Sequence, residues 1–194
     1  MSYKNTGNFD SLNDGLIMPF DDSPLDSEQV GENVYIDILN QARNYVCIFT
    51  PFLIISEKMI FALKMAAKRG VDVRIITPEK PESKIVHRLT RSYYAYLLQS
   101  GIKIFEYTPG FMHAKNFVSD DEIAVVGTIN LDFRSLYLHF ECATLLFKSN
   151  SVKDIKNDAL DTFAVSREIF LSDIPNRIWD NFIDVLLRLL APVM

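Results

Sequence analysis

An α/β domain with a mixed, largely parallel sheet covered by helices is the fold class predicted by this 194-residue sequence. Three observations predict it. Strand-like runs at 45–50, 71–76 and 102–107 recur between helical stretches, the order that builds parallel sheets. Glycines at 70 and 101 stop those helices. Shorter strand-like runs at 112–118, 123–126 and 140–147 then follow without helices between them.

Taken in order, residues 16–20 read as a first strand. Asp26 and Gln29 are placed to form a capping box for a helix running to Ala42. Residues 45–50 form a strand stopped at Pro51. Ser56 is an N-cap for a helix whose Met59, Ile60, Leu63, Ala66 and Ala67 share one face. After the strand at 71–76, a helix from Ser83 keeps Val86, Leu89, Tyr93 and Leu97 in register. Two helices, 152–169 and 176–190, close the chain; Asp180, Asn181, Asp184 and Arg188 form a polar stripe on the last, which is too short and too charged to span a membrane. The polar residues 1–14 read as a flexible leader without a signal-peptide pattern, and 15–194 as one domain.

Composition narrows the class. Hydrophobic residues make up 48% of the chain, enough for one buried core. Cys47 and Cys142 both sit in apolar runs and read as buried thiols, not as a disulfide framework. Net charge is −6 over residues 1–50, +5 over 51–110 and −4 over 111–194. The basic middle reads as solvated helix faces, with a surface for anionic lipid headgroups as the alternative. An overall charge of −5 argues against a nucleic-acid partner.

Chemistry concentrates in one stretch. If 112–118 is a strand, His113 and Lys115 project from the same face. An imidazole can attack phosphorus, and an ammonium beside it stabilises charge on the phosphoryl oxygens. Gly127 permits close backbone approach, Thr128 and Asn130 can donate to non-bridging oxygens, and Glu141 is placed to hold the imidazole in one tautomer. Asp120 falls at a turn and reads as structural. Arg134 braces the following loop through an ion pair, and Asp21 and Asp22 occupy a solvated turn. His87 reads as a surface residue; His139 lines the pocket or packs locally. Phe111 and Met112, next to His113, and Phe52, after a strand end, offer an apolar approach for acyl chains, with core packing as the ordinary alternative. No metal or other cofactor is called for by this inventory.

His113, Lys115, Asp120, Gly127, Thr128 and Asn130 match HxKxxxxD followed by GTxN, so the chain resembles the phospholipase D superfamily. The flanks Tyr107-Thr-Pro-Gly-Phe-Met, Leu131-Asp-Phe-Arg-Ser and Phe140-Glu141, with Pro19-Phe-Asp-Asp-Ser-Pro-Leu-Asp26, are similar to bacterial cardiolipin synthases. The resemblance implies an α/β/α sandwich. It also implies phosphatidyl transfer between two phosphatidylglycerol molecules through a phosphatidyl-histidine, giving cardiolipin and glycerol, on the cytoplasmic side of the bacterial membrane. That family carries two such motifs in one chain, preceded by hydrophobic segments; this chain has one motif, resembling the second half. The expected partner is a first HxKxxxxD half or a second copy of the chain. His113 is then the general acid and base, with nucleophile as the close alternative. Hydrolysis of phosphodiesters by a homodimer and a silent lipid-binding fragment are the competing readings.

Overall fold

The computed structural model describes residues 14–25, 27–80, 83–174, 185, 187 and 188. The expectations for residues 1–13, for Asp26 and for most of 176–190 lie outside the described residues. Among those described, the order is β1 (Leu16–Asp22), α1 (Val30–Gln41), β2 (Tyr45–Phe49), α2 (Glu57–Lys68), β3 (Asp72–Pro78), α3 (Lys84–Ser92), α4 (Tyr94–Leu98) and β4 (Lys103–Tyr107). Then come β5 (Asn116–Ser119), β6 (Ile123–Gly127), α5 (Phe133–Tyr137), β7 (Glu141–Phe147), α6 (Asn150–Ala164) and β8 (Ser166–Ile169).

Eight described strands form one sheet in the order β1-β7-β6-β5-β2-β3-β4-β8. Only β2/β3 and β3/β4 are parallel. The other neighbours run antiparallel, so the sheet is mixed but not largely parallel. The reason is connection length: parallel neighbours need a crossover such as α2, whereas β5 and β6 are joined by a tight turn. In that turn Asp120 and Asp121 both have positive φ, 55° and 60°, and Glu122 N–H bonds the Ser119 carbonyl at 3.1 Å, the geometry that suits a twisted hairpin.

Side-chain parity sorts the sheet into two faces. Val46, Ile48, Val73, Ile75, Ile104, Phe117 and Val125 pack under α1, α2, α3 and α4 in one core. Their neighbours Cys47, Phe49, Ile76, Val118 and Ala124 pack with Val152, Ala159 and Phe163 of α6 in another. This alternation, the period of two inherent to a strand, gives the three-layer α/β/α architecture. Burial pushes the Cys47 thiol up to about 11, an inert state, whereas Cys142 is exposed, contrary to the expectation for it.

Several boundaries differ from the sequence reading. Helix α1 starts at Val30, and its cap is Asp22, whose carboxylate accepts from Val30 N–H at 3.2 Å and Gly31 N–H at 2.8 Å. Asp22 is therefore buried, not in a solvated turn. The helix expected from Ser83 breaks at Tyr93 into α3 and α4. The helix expected over 152–169 ends at Ala164, and residues 166–169 form β8 on the sheet edge. Asp14, assigned to the leader, accepts from Asn150 N–H at 2.7 Å at the start of α6.

Asp120 ties the end of β5 to the start of β2. Its carboxylate accepts backbone N–H groups of Arg43, Asn44 and Tyr45 at 2.7, 2.9 and 2.9 Å. Replacing it by alanine removes three charge-assisted bonds and strains a left-handed position. The expected cost is about 2–3 kcal/mol, lowering Tm by roughly 5–10 °C in thermal denaturation. An unchanged Tm would show that these bonds contribute nothing net.

Candidate active site

The β5–β2 register pairs Asn116 with Phe49, and the β6–β7 register pairs Gly127 with Ala143. The start of β5 and the ends of β2 and β6 thus reach the same edge of the sheet, and Glu141 begins β7 there. His113, Lys115, Thr128, Asn130 and Glu141 are gathered at this edge. Asp120 lies at the opposite one, since Ser119 pairs with Val46.

Residues 111–115 are not in a strand; β5 starts only at Asn116. His113 and Lys115 meet nevertheless. Lys115 Nζ lies 2.9 Å from His113 Nδ1 and 2.7 Å from the His113 carbonyl. An ammonium has only hydrogens to offer, so Nδ1 is the acceptor of this contact. Lys115 is 8% exposed, while His113 is open to solvent. Phe111 stacks on the imidazole with ring centroids 5.6 Å apart, and is itself 49% exposed. Met112 is buried in the α6-side core, and Phe52 is half-buried.

The loop after β6 is held from three sides. Tyr35 donates its hydroxyl to the Ile129 carbonyl at 3.1 Å. Thr50 Oγ1 accepts from Leu131 N–H at 3.1 Å, and Ile54 N–H donates to the Leu131 carbonyl at 2.8 Å. Asp132 caps α5 by accepting from Ser135 N–H at 2.8 Å, and burial pushes its carboxyl upward. Asn130 Nδ2 donates to Ser135 Oγ at 2.9 Å, and its side chain also bonds the Asp132 carboxyl; its buried Oδ1 has no partner. Behind this loop, the fully buried Glu32 accepts from Ser56 and from Tyr137, joining α1, α2 and α5. Thr50, Tyr35 and Glu32 escaped the sequence reading, where Ser135 figured only as part of a flank. Thr50 carried a signal, a hydroxyl at the last position of an apolar strand.

Four assignments change. Glu141 does not reach His113: it accepts the Thr128 hydroxyl and lies 3.9 Å from His139 Nδ1. The Thr128 hydroxyl is therefore committed to Glu141 and also accepts from Cys142 N–H at 3.1 Å, instead of facing a ligand. Gly127 does serve close approach, but to β7: a Cβ there would overlap the Ala143 Cβ and the Cys142 carbonyl. Arg134 is exposed and makes no ion pair among the described residues.

His87 is also misread as a surface residue. Its side chain is 18% exposed and sits 4.0 Å from Glu106, and burial holds its ring below the usual imidazole range. Glu106, 1% exposed, takes Arg167 at 2.7 Å and Arg91 at 3.3 Å, which fastens β8 and α3 to the end of β4. Among the described residues no three histidine, cysteine, aspartate or glutamate side chains converge as a metal site. Nor is any described helix long and apolar enough to cross a membrane.

Residues 35–161 match the family described as cardiolipin synthase, PLD-like domain. An uncharacterized protein of Streptococcus mutans is 52% identical over 181 residues, covering 93% of this chain and 39% of that protein. The cardiolipin synthase of Halalkalibacterium halodurans is 34% identical over 182 residues, 93% of this chain and 36% of the enzyme. The chain thus spans under two-fifths of the length of these curated relatives. Among solved structures, the phospholipase D family member Nuc of Salmonella typhimurium superposes with a TM-score of 0.67 at 18% identity, covering 80% of this chain and 99% of that one. The phosphatidylserine synthase of Haemophilus influenzae gives 0.69 at 15% identity, covering 91% of this chain and 45% of its own. These structures show the fold, and the matched family over most of the described sheet shows the membership: the chain belongs to the phospholipase D superfamily, in the family of cardiolipin synthase PLD-like domains.

Proposed function

We propose that this chain is one catalytic half of a phosphatidyltransferase that makes cardiolipin from two phosphatidylglycerol molecules at the cytoplasmic face of a bacterial membrane. The observation that carries the reading is the His113–Lys115 pair at one sheet edge, with Nδ1 2.9 Å from the ammonium. His113 as imidazolium gives its Nε2 proton to the glycerol oxygen as the P–O bond breaks, while a histidine of the opposing motif bonds to phosphorus. The neutral imidazole that remains then takes the proton of the second phosphatidylglycerol hydroxyl, whose oxygen attacks phosphorus and releases the other histidine, returning His113 to imidazolium. Two phosphatidylglycerols thus give one cardiolipin and one glycerol. Lys115 stabilises charge on the phosphoryl oxygens, and the Asn130 amide donates to one of them when substrate is bound. Asp120, Gly127 and the Thr128–Glu141 pair hold the strands that place these groups. The exposed Phe111 is the apolar approach for the lipid.

The partner is a first HxKxxxxD half or a second copy of this chain, because one imidazole cannot stand on both sides of an in-line displacement. Homodimeric phosphodiester hydrolysis is the second reading. It is favoured by one observation: a chain of similar extent, 99% covered by the superposition, is the whole of the Nuc chain. The test incubates the chain, alone and with a separately expressed first half, with phosphatidylglycerol vesicles and resolves the lipid products. Cardiolipin with released glycerol supports transfer; phosphatidic acid overturns it for hydrolysis. Activity is expected to persist in excess chelator, since histidine, lysine and amide groups carry the chemistry. Loss on chelation with recovery on adding a divalent cation would contradict that assignment.

A further inference from the structure

The helical layer presents a surface that the site chemistry does not use. Helix α2 buries Met59, Ile60, Ala62, Leu63 and Ala66. Its opposite side presents Lys58, Phe61, Met65 and Lys68, with Phe61 66% and Met65 36% exposed. At 100° per residue these four fall within an arc of roughly 80°, so they form one stripe. Each apolar side chain has a lysine about one turn away. The stripe continues onto α4, where Tyr96 is 40% exposed and Lys64 Nζ stands 4.0 Å above its ring. Charge here is predominantly positive, since α2 carries Lys58, Lys64 and Lys68 against Glu57.

We propose that this face docks on an anionic phospholipid bilayer. Phe61, Met65 and Tyr96 enter the boundary between headgroups and acyl chains, while the three lysines pair with headgroup phosphates and bury their methylene stems. Isolated apolar tips favour a bilayer over a protein partner. Three protruding side chains fall well short of the roughly 800 Å² per partner that a stable protein interface covers, but they suffice to anchor a helix in an interface. A second copy of the same face would set lysine against lysine. The placement also serves the site: α2 begins just after Ile54, whose N–H holds Leu131 next to Asn130. This inference deepens the lipid reading above, yet its readout is binding, so either can fail while the other stands.

The test is flotation of the full chain with vesicles of phosphatidylglycerol and phosphatidylcholine, against phosphatidylcholine alone. Co-flotation is expected with the anionic vesicles only, and it should weaken as salt rises from about 0.05 to 0.5 M. Each lysine removed should lower partitioning about fivefold, so Lys58→Gln with Lys68→Gln loses about 25-fold. Phe61→Ser with Met65→Ser should weaken it further, with circular dichroism confirming the fold. In a Trp179→Phe background, which removes the sole tryptophan, Phe61→Trp should be quenched by brominated acyl chains. Equal flotation with both vesicle types, no flotation at all, or flotation with an unquenched Phe61→Trp overturns the proposal. So does a change in oligomer size on Phe61→Ser, which would make the face a protein contact.

Discussion

Replacing His113 with alanine is expected to cut turnover at least about 100-fold, and more where proton transfer limits the rate, while leaving the fold intact. The imidazole is solvent-exposed and contributes one contact to Lys115 Nζ and one stacking face to Phe111. Lys115 keeps its bond to the His113 carbonyl, which any residue at 113 supplies. Tm should therefore move by no more than about 2 °C, since exposed side chains rarely contribute much stability. Lys115→Ala should be similarly inactive but less stable, because Lys115 is almost wholly buried. A His113→Ala enzyme retaining more than about a tenth of the rate would remove the residue from the chemistry.

The second large effect is on stability. Gly127→Ala forces a methyl group into the β7 backbone, where the Cys142 carbonyl and the Ala143 Cβ already stand. Backbone cannot yield as a flexible side chain can, so β6 and β7 must separate just where Thr128 and Glu141 meet. A loss of about 3 kcal/mol or more is expected, lowering Tm by roughly 6–12 °C. The alternative, a glycine kept only for phosphate to approach, predicts a raised KM with unchanged Tm. Denaturation and kinetics on the same variant separate the two.

The parallel core and the motif were legible because each rests on a local pattern. Ser56 caps α2 as expected, its hydroxyl accepting Met59 N–H at 3.1 Å, and Gly70 and Gly101 follow the helices at φ of 91° and 86°. Side chains whose partners are distant in sequence were not legible. Asp22 looked like turn chemistry beside Pro24, and only the fold brings it under α1. Residues 166–169 carry charges and continue a helical rhythm, yet Arg167 finds Glu106 across the sheet edge, and that pairing favours a strand. Glu141 shares an edge with His113 but bonds Thr128 instead. Its nearest hydroxyl is Thr128, because Gly127 lets β6 and β7 close together.

One motif supplies one imidazole, and in-line phosphatidyl transfer through histidine needs a second. The most direct measurement fractionates the purified chain by size, with and without a first-half partner, and assays each fraction for cardiolipin formation from phosphatidylglycerol. Turnover is expected only in fractions that hold two motifs, as a complex or a pair of copies, and none in the monomer. A strictly monomeric fraction with full cardiolipin-forming activity would contradict the two-motif site and require a second acid from within this chain.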